Sequence, residues 1–318
     1  METEKNSKIW LGGNLFGYTC DERRAGEILE NASSMGIRSI DTSSSYSYGL
    51  SEKIIGSWIH RNCDRDKWFI STKIGMITGQ SSAGIGAKRN ITKTVHQSQD
   101  NLQTDYLDVL FLHNPDPTTE PEETISAFVD LFENNVVGAI GFSNVDKPQI
   151  MRYIDTLIEN SIYNIPIYVQ NEFNWAIRSP KFWSNLFEDL KKFQIFSVSY
   201  GILMHGLLAQ TFAEYKRLQF QDENKRAVKS CKIRKFLEDE NLGQCLEALD
   251  LELKTLGLNL FDFSLHFSLI NSDYSIWGVR NIDQLAQLSR SELVKLSDSD
   301  IFNLMKIIHG YSLNKSLT

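Results

Sequence analysis

Cysteine is scarce in this sequence, long apolar runs are absent, and positive charge is in the minority. Its four cysteines, Cys20, Cys63, Cys231 and Cys245, lie far apart without a C-x-x-C pair, which excludes common zinc-site spacings and favours free thiols. No apolar run approaches the roughly 20 residues of a membrane-spanning helix. The 33 Lys and Arg against 40 Asp and Glu give a net charge of -7, which argues against nucleic-acid binding.

Neither a targeting signal nor an interdomain linker is evident. The segment Met1–Lys8 is polar and no apolar signal-peptide core follows it, so we expect a cytoplasmic protein. A length of 318 residues allows two domains, but α/β barrels of this size form one. Because no Gly-, Ser- or Pro-rich block divides the chain, we predict a single domain over residues 1–318.

Short apolar runs of strand length alternate along the chain with stretches of helical periodicity. Glu22–Met35 is typical of the helical stretches, since its apolar residues are spaced by three and four and Gly36 follows as a stop signal. The predicted strands are Lys8–Leu11, Ser39–Asp41, Trp68–Lys73, Leu107–His113, Ala139–Phe142, Ile165–Gln170, Ile195–Tyr200 and Tyr274–Val279. The other predicted helices are Ser51–His60, Ile91–Leu102, Glu122–Asn134, Lys147–Ile158, Lys181–Lys192 and Leu242–Leu256.

This alternation predicts the α/β class. Strands that alternate with helices form right-handed βαβ units and a parallel sheet, and eight such units close into a (β/α)8 TIM barrel. A doubly wound open sheet would carry G-x-G-x-x-G after its first strand, which Leu11-Gly-Gly-Asn-Leu-Phe-Gly17 does not match. The charged segment Glu214–Glu240 contains no clean strand, so we predict an insertion after the seventh strand that forms a flap over the active-site face.

Polar side chains stand at or just after the carboxyl ends of six predicted strands. In a parallel barrel these ends share one face, where active sites are built. Any one of the six would be unremarkable alone, but together they predict a site. They are Asp41, Lys73, His113, Asn144, Gln170 and Tyr200.

The residue types in this set indicate acid–base chemistry at a carbonyl group. Lys73 beside Asp41 forms a matched ion pair, and an ammonium group favours the phenolate form of a neighbouring phenol such as Tyr46. With His113 hydrogen-bonded to a carbonyl oxygen, the set can protonate that oxygen as a hydride arrives. A Schiff-base lyase or epimerase would need Lys73 unpaired, which Asp41 opposes.

The same residues lie within longer motifs. The segments that follow one another along the chain are Asp41-Thr-Ser-Ser-Ser-Tyr46, Gly49-Leu-Ser-Glu52, Ser71-Thr-Lys73, Leu107–His113, Gly138–Asn144, Val169–Asn174 and Ser199–Leu203. As a set they resemble the aldo-keto reductase superfamily, and the resemblance runs from Ile9 to Leu288.

The resemblance implies a catalytic tetrad of Asp41, Tyr46, Lys73 and His113. In these roles Tyr46 is the general acid/base, Lys73 and Asp41 tune it, and His113 orients the carbonyl. Tyr48 is a rival phenol in the same loop, although the family's spacing from the aspartate favours Tyr46.

It also implies a bound NADP(H), with NAD(H) left open, and no metal. Ser143, Asn144 and Gln170 would hold the nicotinamide carboxamide, and Tyr200 would stack on its ring. Arg280 would pair with a 2′-phosphate, but Gln284 and Leu288 stand where the family often has Arg and Asn. The full set of implied cofactor-binding residues is Gly13, Asn14, Asp41, Ser143, Asn144, Gln170, Tyr200, Gly201, Leu203, Gly206, Gly278, Arg280 and Gln284.

These features predict a monomeric or weakly associating oxidoreductase whose partner is a small aldehyde, ketone or sugar, with no nucleic-acid or membrane partner. The alternative is a cofactor-binding regulatory subunit on the same barrel, which the altered adenosine motif favours and the intact tetrad opposes. Trp175, Tyr18 and Phe16 are candidate apolar walls of the substrate pocket, but nothing in the loops names a substrate.

Overall fold

A computed structural model describes residues 7–75, 83–188, 190, 192–218, 235–292 and 294–311. Eight strands follow one another around a closed barrel, in which the first strand also pairs in parallel with the eighth. This arrangement confirms the predicted (β/α)8 TIM barrel. The strands are β1 Ile9–Gly12, β2 Ser39–Asp41, β3 Phe69–Ile74, β4 Val109–Leu112, β5 Ile140–Ser143, β6 Ile167–Glu172, β7 Ile195–Tyr200 and β8 Tyr274–Trp277.

The predicted helices are present with ends that differ by a few residues. The exception is the stretch Lys181–Lys192, of which Phe182–Phe187 is helical, because the chain then turns and the Leu190 N–H donates to the Phe187 carbonyl oxygen at 3.0 Å. The helices are α1 Glu22–Ser34, α2 Leu50–Arg61, α3 Lys88–Leu102, α4 Pro121–Glu133, α5 Lys147–Glu159, α6 Phe182–Phe187, α7 Phe212–Leu218, α8 Glu240–Thr255, α9 Leu260–Asn271, α10 Ile282–Glu292 and α11 Asp298–Gly310.

Four of these helices, α7, α9, α10 and α11, were not predicted. Helix α9 is buried on most sides, so its apolar residues form no one-sided stripe by which sequence periodicity could identify it. Helices α10 and α11 carry local start signals. Asn281 accepts a hydrogen bond from the Gln284 N–H at 2.9 Å, and Ser297 forms a capping box with Asp300 at the start of α11.

Large side chains from several strands fill part of the barrel. Trp10, Phe111 and Tyr168 are buried in one cluster with smaller residues from neighbouring strands. Gly141 on β5 makes room for this packing, because a Cβ atom there would lie 2.3 Å from Cδ1 of Phe111. Its role is therefore structural. Packed side chains, rather than an open pore, occupy this part of the barrel interior.

The chain divides into two densely packed units. The first comprises Met1–Asn171, Trp183–Val198 and Ser272–Ala286, and the second comprises Glu172–Phe182, Ser199–Asn271 and Gln287–Thr318. The single domain over residues 1–318 stays a prediction. Of the predicted insertion at Glu214–Glu240, residues 219–234 lie outside the described residues, and the flap stays a prediction as well.

Candidate active site

A buried ion pair joins the ends of strands β2 and β3. The Lys73 ammonium contacts the Asp41 carboxylate, and the two side chains are 1% and 3% exposed. Lys73 Nζ also donates to the Thr42 carbonyl oxygen at 3.0 Å and to the Tyr46 hydroxyl at 3.3 Å. An ammonium group has three N–H donors, so these partners use all of them. Lys73 is thereby held in one position with its charge fully compensated.

The protonated form of Lys73 is the stable one in this environment. Burial alone lowers the pKa of the ammonium group, but the charge of the Asp41 carboxylate and the Tyr46 oxygen outweigh burial, and the pKa is raised above its ordinary value. Asp41 is itself held by two neutral donors, Ser71 Oγ at 2.8 Å and Gln170 Nε2 at 3.0 Å. A carboxylate fixed on both oxygens keeps the ammonium charged and oriented.

The loop after β2 distinguishes the two candidate phenols. Ser47 and Tyr48 both adopt left-handed backbone conformations, with φ of 49° and 57°, a strained turn for residues other than glycine. The turn leaves Tyr48 87% exposed, whereas the Tyr46 hydroxyl reaches the Lys73 ammonium. Ser47 Oγ donates to the Phe16 carbonyl oxygen at 3.1 Å and helps to hold the turn.

His113 follows β4 and faces the same phenol. Its ring lies edge-on to that of Tyr46, with centroids 5.8 Å apart, and its Nδ1 is 3.1 Å from Ser43 Oγ. Burial, with a smaller contribution from the positive charge of Lys73, lowers the pKa of His113 to about 3. The imidazole is therefore neutral at physiological pH and can act as a hydrogen-bonding group without carrying charge.

The polar residues at the ends of β5 and β6 lie beside this cluster. Ser143 and Gln170 are register partners across the two strands, and Gln170 donates to Asp41. Asn144 has a positive φ of 61° and donates through Nδ2 to the His113 carbonyl oxygen at 2.8 Å and to Ser143 Oγ at 3.2 Å. The structure thus brings Ser143, Asn144 and Gln170 together with Asp41 and His113.

Gly13 and Asn14 begin the short 3-10 helix Gly13–Leu15 that follows β1. A Cβ atom at Gly13 would lie 3.0 Å from Ser51 Oγ, and one at Gly278 would lie 3.2 Å from Asn14 Oδ1, so both glycines permit close packing. In the segment that follows Gly278, the Arg280 N–H donates to Gln284 Oε1 at 2.8 Å. Gly278, Arg280 and Gln284 therefore stand together before and at the start of α10.

The remaining predicted residues follow β7. Tyr200 is the last residue of that strand, and its carbonyl oxygen accepts from the Phe173 N–H at 3.0 Å. Gly201 and Gly206 have φ of 70° and 91°, which favours glycine, and Leu203 lies between them. A Cβ atom at Gly201 would lie 2.9 Å from Cγ of Glu172, so the turn also requires the missing side chain.

Two loops at this end of the barrel are joined by a buried carboxylate, Asp116. It follows β4 and is 1% exposed. Its oxygens accept from the backbone N–H groups of Gly84, Gly86 and Thr118 and from the hydroxyls of Thr118 and Thr119. Burial opposes ionisation, but these hydrogen bonds outweigh it and lower the pKa of Asp116 to about 2. The carboxylate therefore ties the segment before α3 to the segment before α4.

Sequence reasoning missed two residues whose side chains contact side chains of the predicted tetrad. Ser71 donates to Asp41, and its place two residues before Lys73 on β3 puts both side chains on one side of the strand, a signal that was available. Ser43 contacts His113 across 70 residues of sequence, and its position inside the Asp41–Tyr46 motif was the sole hint of a role.

Two kinds of feature are absent from the part of the chain that the structure describes. No helix there has the length and apolar character needed to cross a bilayer. No group of three or more His, Cys, Asp or Glu side chains there is arranged to hold a metal ion.

Comparisons with known proteins indicate the family of the chain. The family model described as the Aldo/keto reductase family matches residues 8–309. The chain is 29% identical over 305 residues to aldo-keto reductase YhdN of Bacillus subtilis (strain 168), covering 94% of this chain and 88% of that protein. It is 26% identical over 323 residues to versiconal hemiacetal acetate reductase of Aspergillus parasiticus, covering 93% and 92%.

A solved structure shares the fold. The glycerol dehydrogenase AKR11B4 from Gluconobacter oxydans superposes with a TM-score of 0.73 at 20% identity, covering 97% of this chain and 93% of that one. With the family model spanning nearly the whole sequence, the chain belongs to the aldo/keto reductase family of oxidoreductases.

Proposed function

We propose that the protein is an NADP(H)-dependent oxidoreductase that interconverts a small aldehyde, ketone or sugar and its alcohol, with Tyr46 as general acid/base. One observation carries the proposal: the Tyr46 hydroxyl lies 3.3 Å from the Lys73 ammonium group. The contact of that ammonium with the Asp41 carboxylate keeps it charged. Such a phenol can release its proton, because the phenolate left behind remains beside a fixed positive charge.

Each member of the tetrad has a separate task. Tyr46 transfers its proton to the carbonyl oxygen during reduction and takes it back during oxidation. Lys73 stabilises the phenolate, and Asp41 keeps Lys73 charged in a site where burial alone would discharge it. His113, neutral because it is buried, contributes a hydrogen bond at the substrate oxygen.

The residues beside the tetrad suit a nicotinamide. When bound, the cofactor supplies or accepts the hydride at C4. Its carboxamide needs a hydrogen-bond acceptor for the NH2 group and a donor for the oxygen. Gln170 commits its nitrogen to Asp41 and so keeps an amide oxygen to accept, while the register-paired Ser143 accepts from Asn144 and keeps a hydroxyl proton to donate.

The preference for NADPH over NADH is proposed from the start of α10. Arg280 can pair with a 2′-phosphate through its forked donors. Gln284 commits its side-chain oxygen to the Arg280 N–H, which leaves its NH2 group to donate to an anion. Fluorescence titration with each cofactor measures the preference directly.

The test of the catalytic proposal is the change Tyr46→Phe, with Tyr48→Phe as the matched control. Loss of a positioned acid typically costs 10²–10⁴-fold in rate. We expect Tyr46→Phe to reduce turnover of an aldehyde, ketone and sugar panel by at least about a hundredfold and to leave cofactor affinity nearly unchanged. Tyr48→Phe should stay close to wild type. Full activity in Tyr46→Phe would contradict the assignment of the acid.

The same panel addresses the regulatory alternative. Tight cofactor binding without any carbonyl turnover by the wild-type protein would favour a regulatory subunit over an enzyme. Borohydride trapping addresses Schiff-base chemistry, which we do not expect because all three Lys73 donors are committed. A cytoplasmic location and a monomeric or weakly associating state complete the proposal, and size-exclusion chromatography with light scattering measures the latter.

A further inference from the structure

Ser43 is fully buried in the loop between Asp41 and Tyr46, and its hydroxyl lies among four polar groups. Its oxygen is 3.1 Å from Nδ1 of His113 and 3.2 Å from the Lys73 carbonyl oxygen. The Ser45 N–H donates to it at 3.2 Å, and Ser45 Oγ is 2.9 Å away. A hydroxyl has one proton and two lone pairs, so the four contacts cannot be assigned freely.

Two of the four contacts are decided by their partners, and the direction of the contact between the Ser43 and Ser45 hydroxyls then decides which atom carries the proton shared with His113. The Ser45 N–H can only donate, so it takes one lone pair of Ser43. The Lys73 carbonyl oxygen already accepts from the Ser44 N–H at 3.1 Å and from Ser44 Oγ at 3.0 Å, which fills its two lone pairs. If Ser45 Oγ donates to the second lone pair of Ser43, the Ser43 proton remains for Nδ1 of His113.

We propose that Ser43 is a positioning residue that fixes the tautomer of His113 with its proton on Nε2. The substrate part of this inference rests on the proposed function, since Nε2–H is the group that would donate to the carbonyl oxygen. The opposite tautomer would turn a lone pair toward that oxygen and repel it. Because burial keeps the ring neutral, one ring nitrogen carries the proton, and the hydrogen bond at the other nitrogen decides which.

The first test uses the wild-type protein without ligand. Nitrogen chemical shifts of 15N-labelled histidine distinguish a protonated ring nitrogen from an unprotonated one, and the signal of His113 is identified among the six histidines by its loss in His113→Asn. We expect a protonated Nε2 and an unprotonated Nδ1. The reverse assignment would overturn the proposal, and this result does not depend on whether any variant of Ser43 folds.

The second test is Ser43→Ala, with Ser98→Ala, a change at a buried serine on α3, as a control. Ser43→Ala should give a mixture of His113 tautomers and lower kcat by about tenfold, the equivalent of one hydrogen bond, with a smaller effect on KM. Ser98→Ala should keep the wild-type tautomer. An unchanged tautomer in Ser43→Ala would refute the role of Ser43. If the wild type has the expected tautomer, lost in Ser43→Ala, yet reduces no carbonyl, the proposed function fails while the positioning role stands.

Discussion

Replacing Asp41 with asparagine removes one charge from the most deeply buried ion pair in the described part of the chain. The Lys73 side chain is 1% exposed, so water cannot compensate for the lost carboxylate. Breaking a buried pair by removing one partner typically costs about 3–5 kcal/mol, because a desolvated charge is left behind. We expect Asp41→Asn to lower the free energy of unfolding by that amount at neutral pH, as measured by urea denaturation.

The loss of stability caused by Asp41→Asn should become smaller as pH rises. In the wild type the pKa of Lys73 is raised, so its pairing stabilises the fold below the unfolded pKa of about 10.4 and is lost as pH rises through the folded pKa. In Asp41→Asn burial dominates and lowers the pKa of Lys73. The folded variant then sheds a proton that the unfolded chain retains, so its stability rises with pH. The difference in the free energy of unfolding between the two proteins should therefore narrow as pH rises toward about 10.

Two further variants separate charge from packing. The double change Asp41→Asn with Lys73→Met removes both charges and should recover much of the lost stability, since an apolar pair avoids the desolvation penalty. Asp250→Asn breaks an exposed pair with Lys254 on α8 and should change stability little, because solvent screens that pair. A loss below about 1 kcal/mol in Asp41→Asn, or no recovery in the double variant, would refute this account.

Two further predictions concern stability. Asp116→Asn should lower the free energy of unfolding by about 2 kcal/mol at neutral pH, because the pKa of Asp116 is about 2 in the folded protein against an ordinary 3.8. The wild type should lose this stability as pH falls from about 4 to 2, and the variant should not. Urea denaturation at both ends of that range measures this, and the same dependence of stability on pH in both proteins would contradict the prediction. Gly141→Ala should destabilise by roughly 1–3 kcal/mol, because the added methyl group would overlap the Phe111 ring. Gly26→Ala is its control, since a Cβ atom there meets Trp58 at an ordinary 3.5 Å, and equal unfolding free energies for the two variants would contradict the packing argument.

Much of the barrel follows from local sequence patterns. Strand β7, Ile195–Tyr200, and the short β2, Ser39–Asp41, have the predicted bounds, because apolar runs between turn signals are local features. The unpredicted α9 marks the limit of such patterns. A helix buried on most sides has no polar face, and its environment depends on which elements pack around it.

For the candidate site, the sequence identifies the residues but not the contacts among them. The strand-end residues can be collected from sequence, because a parallel barrel brings all carboxyl ends of its strands to one face. The contacts among them join residues 31 to 129 positions apart, such as Gln170 with Asp41, and no local spacing encodes those distances.

The positions of the Tyr46 and Tyr48 phenols show what only the tertiary structure decides. Both phenols lie in one loop and differ by two positions, and sequence alone preferred Tyr46 by resemblance. The left-handed turn at Ser47 and Tyr48 directs one phenol to the ammonium and leaves the other in solvent. That turn persists because surrounding contacts hold it against its strain, and the link from Ser43 to His113 likewise exists only once β2 and β4 are assembled.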